Sequence, residues 1–452
     1  MTDEPLLSVR DLTKHYPITE GVLSREVGRV RAVDGISFDI ARGETLGLVG
    51  ESGCGKSTAA TTIVGLEEPT DGQVIFNGES RETVRDPPDS PHPNDVTAFD
   101  DAERKRFRRQ VQMIFQDPSS SLDPRMTVGE SVAEPLRIHG LSDRDARHRV
   151  VENLLERVGL AAADYHRFPH EFSGGQKQRI SLARALVTNP ELIIADEPVS
   201  ALDVSVQAEI LGLINDIQAE FGLSVLFISH DMGVVREVSD RVAVMYLGEI
   251  VEVGPTEAVF SDPQHPYTEA LLSSIPTPDP RTRGSGIELT GDVPSPADPP
   301  SGCRFHTRCH RVIGPEDYAF DQAEWRGVMD LRVRLDRGSV DVAAAREFVA
   351  TERDKRPTAV SDSAVADAIR DEFDIPGTLS DPSAEVVLGE ALTHLVTGDG
   401  TRAAALLAEE FETVCERSAP RLAETDAGHP AACHLHERAD DEAPLRSPDA
   451  DD

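Results

Sequence analysis

The sequence predicts an α/β fold, and two observations predict it. A strand-like apolar run at residues 44–49 leads into residues 50–58, which fit the pattern G-x-x-x-x-G-K-[ST], and a helix-compatible run starts near Lys56. A later apolar run, residues 191–195, likewise ends in polar residues, beginning at Asp196. Buried strands that alternate with loops and helices are typical of an α/β core.

The glycine-rich loop at residues 50–58 is the strongest functional signal. Its glycines allow successive backbone N–H groups to turn inward and surround phosphate oxygens at a helix N-terminus. Lys56 is then expected to reach the β- and γ-phosphates of a nucleotide, and the Ser57 hydroxyl to bind Mg²⁺. A glycine-rich turn that binds nothing is the alternative, and the strand before and helix after the loop argue against it. The predicted phosphate contacts are Gly50, Glu51, Ser52, Gly53, Cys54, Gly55, Lys56, Ser57 and Thr58.

Composition limits the classes of function. The chain has 452 residues, a formal net charge of -36, and only five lysines among its 45 basic residues. This acidic, lysine-poor composition resembles that of proteins from salt-loving archaea, where concentrated salt screens self-repulsion; an acidic protein of a low-salt organism is the alternative. Nucleic acid is not expected as a partner, because phosphate backbones bind basic surfaces. The sequence contains neither a run of about 18 apolar residues nor a signal-peptide pattern, so we expect a cytoplasmic protein.

The segments on either side of the loop predict further elements. Residues 6–10 and 36–40 alternate apolar and polar side chains, as half-buried strands do. Between them, Tyr16 is a candidate to stack on a purine base; an ordinary surface aromatic is the alternative. Residues 79–102, which are rich in Pro, Asp and Ser, predict an inserted, mobile acidic loop.

Residues 111–159 predict a strand followed by a helical insertion. The strand, residues 111–115, ends at Gln116, whose amide could touch a metal or its water; in isolation Gln116 would be an ordinary turn residue. From residue 127 onward the apolar spacing becomes helical. The residues on the apolar faces are Val128, Val132, Leu136, Val150, Leu154, Leu155 and Val158.

A second helix start suited to anions follows at residues 172–176. Ser173 supplies a hydroxyl, and Gly174 and Gly175 allow the backbone to approach a phosphate closely. Gln176 continues into a helix that is expected to reach about residue 188. One nucleotide could contact both helix starts if they come from different subunits.

Two adjacent carboxylates end the strand at residues 191–195. Because Asp196 and Glu197 point to opposite sides of a strand, Asp196 is expected to hold Mg²⁺ through water and Glu197 to polarise the attacking water. Asp203 is placed to cap a helix over residues 204–220. His230, after a buried strand at residues 224–228, is a candidate for a γ-phosphate contact; a lone histidine there would more often be structural.

Taken together, these motifs resemble the ATP-binding subunits of ABC transporters over residues 6–262. In that family residues 50–57 match Walker A, Gln116 the Q-loop, residues 172–176 the signature, residues 193–197 Walker B, residues 200–203 the D-loop, His230 the switch histidine and Tyr16 the adenine-stacking aromatic. The resemblance implies a P-loop ATPase core with an antiparallel β subdomain and a helical subdomain at about residues 117–175. It implies catalytic roles for Glu197, His230 and Gln116, and Mg²⁺ contacts by Ser57, Gln116 and Asp196.

The same resemblance implies how nucleotide and subunits are arranged. Two subunits would bind ATP head to tail, with Walker A of one subunit against the signature of the other. The nucleotide contacts outside Walker A would then be Tyr16, Ser173, Gly174, Gly175, Gln176 and Asp203.

Finer likeness points to the dipeptide and oligopeptide importers. Residues 14–17 (KHYP), 50–58 (GESGCGKST), 114–118 (IFQDP) and 262–268 (DPQHPYT) resemble that branch and, within it, the second of two paired ATPase chains. The implied partners are a similar ATPase subunit, two membrane permease subunits and, indirectly, an extracellular solute-binding protein. The chain would lie peripherally at the cytoplasmic face of the membrane. Relatives also carry nickel or other small solutes, so the solute stays open. A soluble ABC ATPase not coupled to transport is the alternative, although the sequence lacks the second cassette, long coiled coil or basic surface expected of one.

The rest of the chain is predicted to form a Pro-rich linker at residues 263–300 and a C-terminal extension at residues 301–452, with a helical acidic insertion at about 311–412. Four cysteines lie in this extension: Cys303, Cys309, Cys415 and Cys433. Four thiolates suit a [4Fe–4S] cluster or a Cys₄ zinc site. Their spacing does not match zinc knuckles, and the importer branch is known for a cluster held by cysteines at matching places. Zinc, with His306, His310 or His434 replacing a thiolate, and four unligated thiols are the alternatives.

Overall fold

The computed structural model describes residues 5–21, 25–77, 92–275, 286, 287, 289 and 291–436. The chain divides into two compact units. The first unit contains Met1–Pro263 with two short later segments, Pro296–Asp298 and Ala427–Pro430. The second unit contains Gln264–Ser295, Pro299–Asp426 and Ala431–Asp452.

A largely parallel sheet forms the core of the first unit and confirms the predicted α/β fold. Its strands follow the order β9-β8-β3-β7-β6-β5, and only β9 runs antiparallel to its neighbour. The strands of the chain are β1 Leu7–Glu20, β2 Arg25–Ile40, β3 Thr45–Val49, β4 Asp71–Phe76, β5 Val111–Ile114, β6 Leu192–Asp196, β7 Ser224–Ser229, β8 Arg241–Tyr246, β9 Glu249–Pro255, β10 Ala423–Glu424 and β11 Pro430–Ala431. Every residue of β3, β6 and β7 is buried, as expected for strands covered on both faces.

The register of this sheet gathers the predicted motifs at one edge. Val49, the last residue of β3, lies opposite Ser229, the last residue of β7, and Asp196 at the end of β6 lies opposite Ile228. Ile114 at the end of β5 lies opposite Ala195. Because parallel strands end together, the segments that follow β3, β5, β6 and β7 emerge side by side.

A smaller antiparallel sheet, in the order β2-β1-β4, confirms the predicted β subdomain. The central strand β1 and its neighbour β2 extend beyond the predicted stretches, since β1 has 14 residues and β2 has 16. Apart from Leu12 and Val33, which are buried, the extra residues of the two strands are half-buried or exposed, so they lack the apolar alternation that signals a strand.

The helices are α1 Lys56–Ile63, α2 Asp101–Gln110, α3 Val128–Ile138, α4 Arg144–Arg157, α5 Gly174–Leu186, α6 Val204–Phe221, α7 Met232–Val238, α8 Thr256–Ser261, α9 Pro266–Ser273, α10 Gln322–Asp336, α11 Val342–Glu352, α12 Asp362–Glu372, α13 Pro382–Val396, α14 Gly400–Glu410 and α15 Val414–Arg417. Helices α3 and α4 confirm the predicted helical insertion. One assignment within it was wrong: Val150 is 38% exposed, and Val151 takes the buried position instead. Among the residues described here, no helix is long and apolar enough to span a membrane.

The predicted loop at residues 79–102 is partly wrong. Residues 79–91 lie outside the described residues, but His92 and Asp95 are buried, and α2 begins at Asp101. Asp100 starts this helix through a capping box with Glu103. The helix was missed because Phe107 is its one buried residue, which leaves no apolar period to read.

The second unit is mainly helical, from α9 to α15. Its beginning departs from the predicted linker at residues 263–300, because Pro266–Ser273 forms α9 and buries Tyr267 completely. Residues 276–285 of that stretch lie outside the described residues. The insertion packs around Trp325, which is 1% exposed and meets Phe320 and Phe411 with ring centroids 5.1 and 6.3 Å away. Trp325 is therefore a core residue of the second unit.

Candidate functional site

The glycine-rich loop forms a cationic cradle between β3 and α1. Gly55 has φ of +110°, and a Cβ atom there would lie 1.9 Å from the carbonyl oxygen of Ala32, so only glycine fits. Lys56 is 5% exposed, and its Nζ donates to the carbonyl oxygens of Gly50 (2.8 Å) and Glu51 (2.9 Å). The ammonium therefore lies over the loop at a helix N-terminus, an arrangement that favours phosphate.

Cys54 belongs to the packing of this loop. The side chain is 4% exposed, and burial raises the pKa of its thiol, against the opposing charge of Lys56. A neutral, buried thiol is a poor nucleophile. Any phosphate contact at position 54 would therefore use the backbone.

Ser57 and Asp196 are brought together as a candidate Mg²⁺ site. The Ser57 hydroxyl donates to Oδ1 of Asp196 over 3.1 Å. Burial raises the pKa of Asp196, the hydrogen bond from Ser57 lowers it, and the neighbouring charge of Glu197 raises it further. A carboxylate whose charge is penalised in this way is suited to a divalent cation, which would reverse the penalty.

Glu197 is the centre of a three-residue cluster. Its carboxylate accepts a hydrogen bond from Nε2 of Gln116 (2.9 Å) and lies 3.0 Å from Nδ1 of His230. The Glu197 backbone has φ of +46°, a left-handed conformation that is uncommon outside glycine. A carboxylate held between an amide and an imidazole is suited to orient and polarise a water molecule.

The second predicted helix start, at α5, has its own local support. The Ser173 hydroxyl accepts from the backbone N–H of Gln176, and the Gln176 side chain accepts from the backbone N–H of Ser173, which completes a capping box. Asp203 accepts from the backbone N–H of Val206 and caps α6, as predicted. A Cβ atom at Gly175 would lie 2.5 Å from Cγ1 of Val206, so the two helix starts pack against each other. The nucleotide contacts of this region stay a prediction.

Tyr16 is held by contacts that sequence reasoning did not find. Its hydroxyl donates to the Glu67 carboxylate, and Nζ of Lys14 lies 4.9 Å from the centre of its ring. Glu67 is 51 residues away in sequence, so no local pattern signals the contact. Stacking of Tyr16 on adenine stays a prediction.

The four cysteines of the second unit line one small cavity, although they are up to 130 residues apart. Cys309, Cys415 and Cys433 are buried, with 7 to 9% of each residue exposed, and none of the four forms a disulfide. Cys303 donates its backbone N–H to the carbonyl oxygen of Cys415 over 2.8 Å, which joins the two halves of the cysteine region. Burial raises the pKa of Cys309 to about 12, and burial and the other thiols raise that of Cys303 as well.

The histidines considered as substitute ligands use a ring nitrogen elsewhere. His306 donates from Nδ1 to the Cys303 carbonyl oxygen (2.8 Å), His310 pairs through Nε2 with Glu269 (3.1 Å), and His434 pairs through Nε2 with the Ser418 carbonyl oxygen (2.8 Å). Within the described ranges, no group of three or more His, Cys, Asp or Glu side chains is arranged to hold a single metal ion.

Comparison with family models divides the chain into three matched segments. Residues 33–200 match the ABC transporter family, and residues 251–314 match the C-terminal region of oligopeptide/dipeptide transporters. Residues 322–428, which begin at the start of α10, match a domain of unknown function, DUF8228.

Curated relatives are similar over about two thirds of the chain. The oligopeptide transport ATP-binding protein AppF of Bacillus subtilis is 51% identical over 311 residues, which cover 68% of this chain and 89% of the relative. The dipeptide transport ATP-binding protein DppF of Escherichia coli is 46% identical over 312 residues, covering 69% and 89%. A solved dimeric ATP-binding cassette, MJ0796 bound to ADP and Pi, is 28% identical with a TM-score of 0.47, covering 55% of this chain and 98% of that one.

Proposed function

Because this chain belongs to the ATP-binding subunits of oligopeptide and dipeptide ABC transporters, we propose that it hydrolyses ATP to drive import of peptides, or of a related small solute, through separate permease subunits. The observation that carries the proposal is the convergence of Gln116 and His230 on Glu197 beside the Ser57–Asp196 pair. A soluble ATPase that is not coupled to transport is the competing function, and the experiment below separates the two.

The proposed chemistry assigns one task to each group. The loop around Lys56 holds the phosphates, and Glu197 takes a proton from water as the water oxygen bonds to the γ-phosphorus and the bond to the β-phosphate oxygen breaks, giving ADP and phosphate. His230 contacts the γ-phosphate, and Gln116 senses it. Mg²⁺, held by Ser57, Asp196 and Gln116, would neutralise charge on the phosphates when bound.

The nucleotide is proposed to lie between two ATPase subunits. The start of α5, with Ser173, Gly174, Gly175 and Gln176, is a second anion-friendly helix start, and together with Asp203 it would complete the site of a partner subunit. The partner is proposed to be a similar but non-identical ATPase chain, with this chain as the second of the pair.

Coupling to the permease is proposed to use a groove beside Gln116. The groove is lined by Leu66 after α1, Phe115 after β5, Pro135 of α3 and Arg184 of α5, so it spans the sheet and the helical insertion. Leu66 is 54% exposed, which leaves apolar surface for a partner. Movement of the helices with nucleotide state would therefore be transmitted to the permease, at the cytoplasmic face of the membrane.

The test compares transport with basal hydrolysis in the full complex, reconstituted with its two permeases, the partner ATPase and a peptide-loaded solute-binding protein. Leu66→Gln is expected to abolish peptide-stimulated ATPase activity and uptake while basal hydrolysis persists. Val27→Gln is the control, because Val27 is equally exposed (52%) but lies on β2, outside the groove. Absence of any stimulation of the wild-type chain would favour the soluble ATPase, and loss of ATP binding in Leu66→Gln would make the groove part of the scaffold.

The cysteine cavity is proposed to hold a [4Fe–4S] cluster that ties together the two halves of the extension. The four cysteines fit this group, since they converge on one cavity and three of them are buried. The spacing of the four cysteines in the sequence does not match the short knuckles of common zinc sites, which favours the cluster over a single zinc ion. When bound, the cluster would replace the thiol protons.

Anaerobic purification tests this cofactor. The protein is expected to be brown, with about four iron and about four acid-labile sulfide ions per chain. Cys303→Ser should lose both iron and sulfide while ATP binding survives. One zinc per chain in a colourless preparation would replace the cluster with zinc, and a metal-free preparation would leave four unligated thiols.

A salt-loving archaeal origin is also proposed, supported by the net charge of -36 and the five lysines. A protein from such an organism is expected to be more stable at high salt concentration, and thermal unfolding at several salt concentrations tests this.

A further inference from the structure

Helix α10 donates side-chain hydrogen bonds to the main chain just after Cys309. Trp325 Nε1 donates to the Ile313 carbonyl oxygen over 3.1 Å. Gln322 Nε2 donates to the carbonyl oxygens of His310 and Val312, both over 3.2 Å. With two further bonds from Arg326, α10 satisfies five carbonyl groups between residues 307 and 313 and fixes the path of the segment that contains Cys309.

Arg326 makes the most direct contact with the cysteine region. Its Nη1 donates to the carbonyl oxygen of Cys309 itself (2.9 Å), and its Nη2 donates to that of Thr307 (3.0 Å). The guanidinium is 14% exposed and is held in place by Asp330, one turn further along α10. A planar guanidinium that bonds two carbonyl oxygens and a carboxylate at once has a fixed orientation, so it also fixes the backbone on which the Cys309 thiol is mounted.

The same helix holds the other half of the cysteine region. Arg332 donates to the Phe411 carbonyl oxygen (2.6 Å) and pairs with the Glu416 carboxylate (3.0 Å). Glu416 follows Cys415 directly, and the Arg332 side chain is 9% exposed. Two arginines of α10 therefore reach the backbone of Cys309 and the neighbour of Cys415.

We infer that α10 is the element that builds the cysteine site, and that Arg326 is its positioning residue for Cys309. The helix belongs to the segment that matches a domain of unknown function. The role of this segment is then to organise the thiol site within its own chain. The ligand class is a thiolate-bound iron–sulfur centre, so the metal-dependent half of the inference rests on the cluster proposed above. The positioning of Cys309 by Arg326 does not depend on that cluster.

The experiment compares Arg326→Gln with Arg370→Gln in the full-length chain. Arg370 is the matched control because it is also buried in the helical insertion (7% of its side chain exposed) and also bonds a carbonyl oxygen, that of Pro376, and a carboxylate, that of Glu385. Both variants lose comparable contacts, but only Arg326 touches the cysteine segment. Arg326→Lys keeps the positive charge but loses the planar guanidinium that bonds two carbonyl oxygens at once. This variant therefore separates the effect of the charge from the effect of the fixed orientation.

The first readout needs no metal. In chelator-treated protein, alkylation of each cysteine is followed by peptide mass spectrometry, with Cys54 as internal reference. Arg326→Gln is expected to speed alkylation of Cys309 roughly tenfold, since loss of hydrogen bonds from a charged donor eases local opening, and Arg370→Gln is expected to leave it near the wild-type rate. Equal rates in Arg326→Gln and wild type, or equal acceleration in both variants, would overturn the inference.

The second readout measures iron and sulfide after anaerobic reconstitution and their loss to a chelator. Arg326→Gln is expected to lose iron several-fold faster than wild type and Arg370→Gln, with ATP binding unchanged, and Arg326→Lys to recover part of the difference. Iron retention equal to wild type in Arg326→Gln would overturn the role of Arg326 in holding the centre. If the wild-type chain takes up no iron, the cluster proposal fails, and the alkylation rates still decide whether Arg326 positions Cys309.

Discussion

At the scale of single residues, Glu197 combines an unfavourable backbone with a well-bonded side chain. Its left-handed conformation (φ +46°) costs on the order of 1–3 kcal/mol for a non-glycine residue. The conformation places the carboxylate beside both Gln116 and His230. Strain of this kind concentrates at functional sites, which fits the proposal that Glu197 activates water.

Glu197→Gln is expected to lower ATP hydrolysis by about 10²–10⁴-fold, because an amide cannot take the proton from water. ATP binding should survive, since the phosphate cradle around Lys56 is separate. The measurement is phosphate release in the reconstituted complex, with equilibrium nucleotide binding in parallel. Lys56→Ala is the control for binding, because this variant should lose ATP affinity, which Glu197→Gln retains. Wild-type turnover in Glu197→Gln would remove Glu197 from the catalytic group.

Asp196 gives a prediction about pH and stability. Because burial raises its folded-state pKa above the ordinary value of 3.8, the folded, metal-free chain binds this proton more tightly than the unfolded chain does. The resulting stabilisation is complete below pH 3.8 and is lost as pH rises through the raised pKa. At neutral pH the charged carboxylate therefore destabilises the metal-free fold.

Asp196→Asn is accordingly expected to raise the unfolding temperature of the metal-free protein at pH 7, by roughly 2–4 °C for each kcal/mol relieved, and to remove the stabilisation that Mg²⁺ with ATP gives the wild type. Asp203→Asn is the control, and it is expected to lower the unfolding temperature, because hydrogen bonds from Ser205 and Val206 lower the pKa of Asp203 and stabilise its charged form. Thermal unfolding with and without Mg²⁺ and ATP measures both. A lower unfolding temperature for metal-free Asp196→Asn would contradict the argument.

At the scale of elements, the cysteine region depends on a close approach of two segments far apart in the chain. Gly302 has φ of +64°, and a Cβ atom there would lie 2.4 Å from the carbonyl oxygen of Cys415. The next residue, Cys303, donates its N–H to that same oxygen. The first and third cysteines are thus brought together through backbone contacts as well as through any metal.

Gly302→Ala is expected to separate these segments and to cost more than about 1 kcal/mol of stability, with loss of bound iron. Gly338→Ala is the matched control, since Gly338 has nearly the same φ (+62°) but no atom within 4 Å of the added Cβ. Both variants carry the backbone strain, and only Gly302→Ala carries the clash. Thermal unfolding and iron content measure the difference; equal behaviour of the two variants would show that the approach at Gly302 is not needed.

At the scale of the whole molecule, the net charge of -36 is the largest electrostatic feature. Many of the described ion pairs have at least one exposed partner, and exposed pairs contribute little each, so they do not offset the general repulsion between carboxylates. Self-repulsion destabilises a compact state, and salt screens it over a Debye length that falls to about 3 Å at 1 M.

The unfolding temperature is therefore expected to rise by several degrees between about 0.2 M and about 2 M potassium chloride, as screening becomes complete. Calorimetry at several salt concentrations measures this. Sucrose at matched osmolality is the control, because it favours the compact state without screening charge. An unfolding temperature that rises equally in sucrose and in salt would reject electrostatic screening as the cause, and one that stays constant in salt would also count against the proposed salt-loving origin.

The sequence by itself determined the α/β core, the glycine-rich loop, the start of α5 and the cap of α6, because each depends on residues close together in the chain. Local patterns carry this information: apolar runs bury strands, glycines permit a tight loop, and Ser173 and Asp203 satisfy N–H groups within three residues. Helix α2 and the outer parts of β1 and β2 escaped prediction for the complementary reason, since they bury too few apolar residues to show a period.

Only the tertiary structure decided which distant side chains meet. Gln116 lies 81 residues from Glu197, and Arg326 reaches back 17 and 19 residues to Cys309 and Thr307. Such contacts follow from strand order, register and the packing of α10, and no local pattern encodes them. The nucleotide-binding motifs could therefore be recognised in the sequence, whereas the arginine that organises the cysteine site became visible only once α10 was placed against residues 307–313.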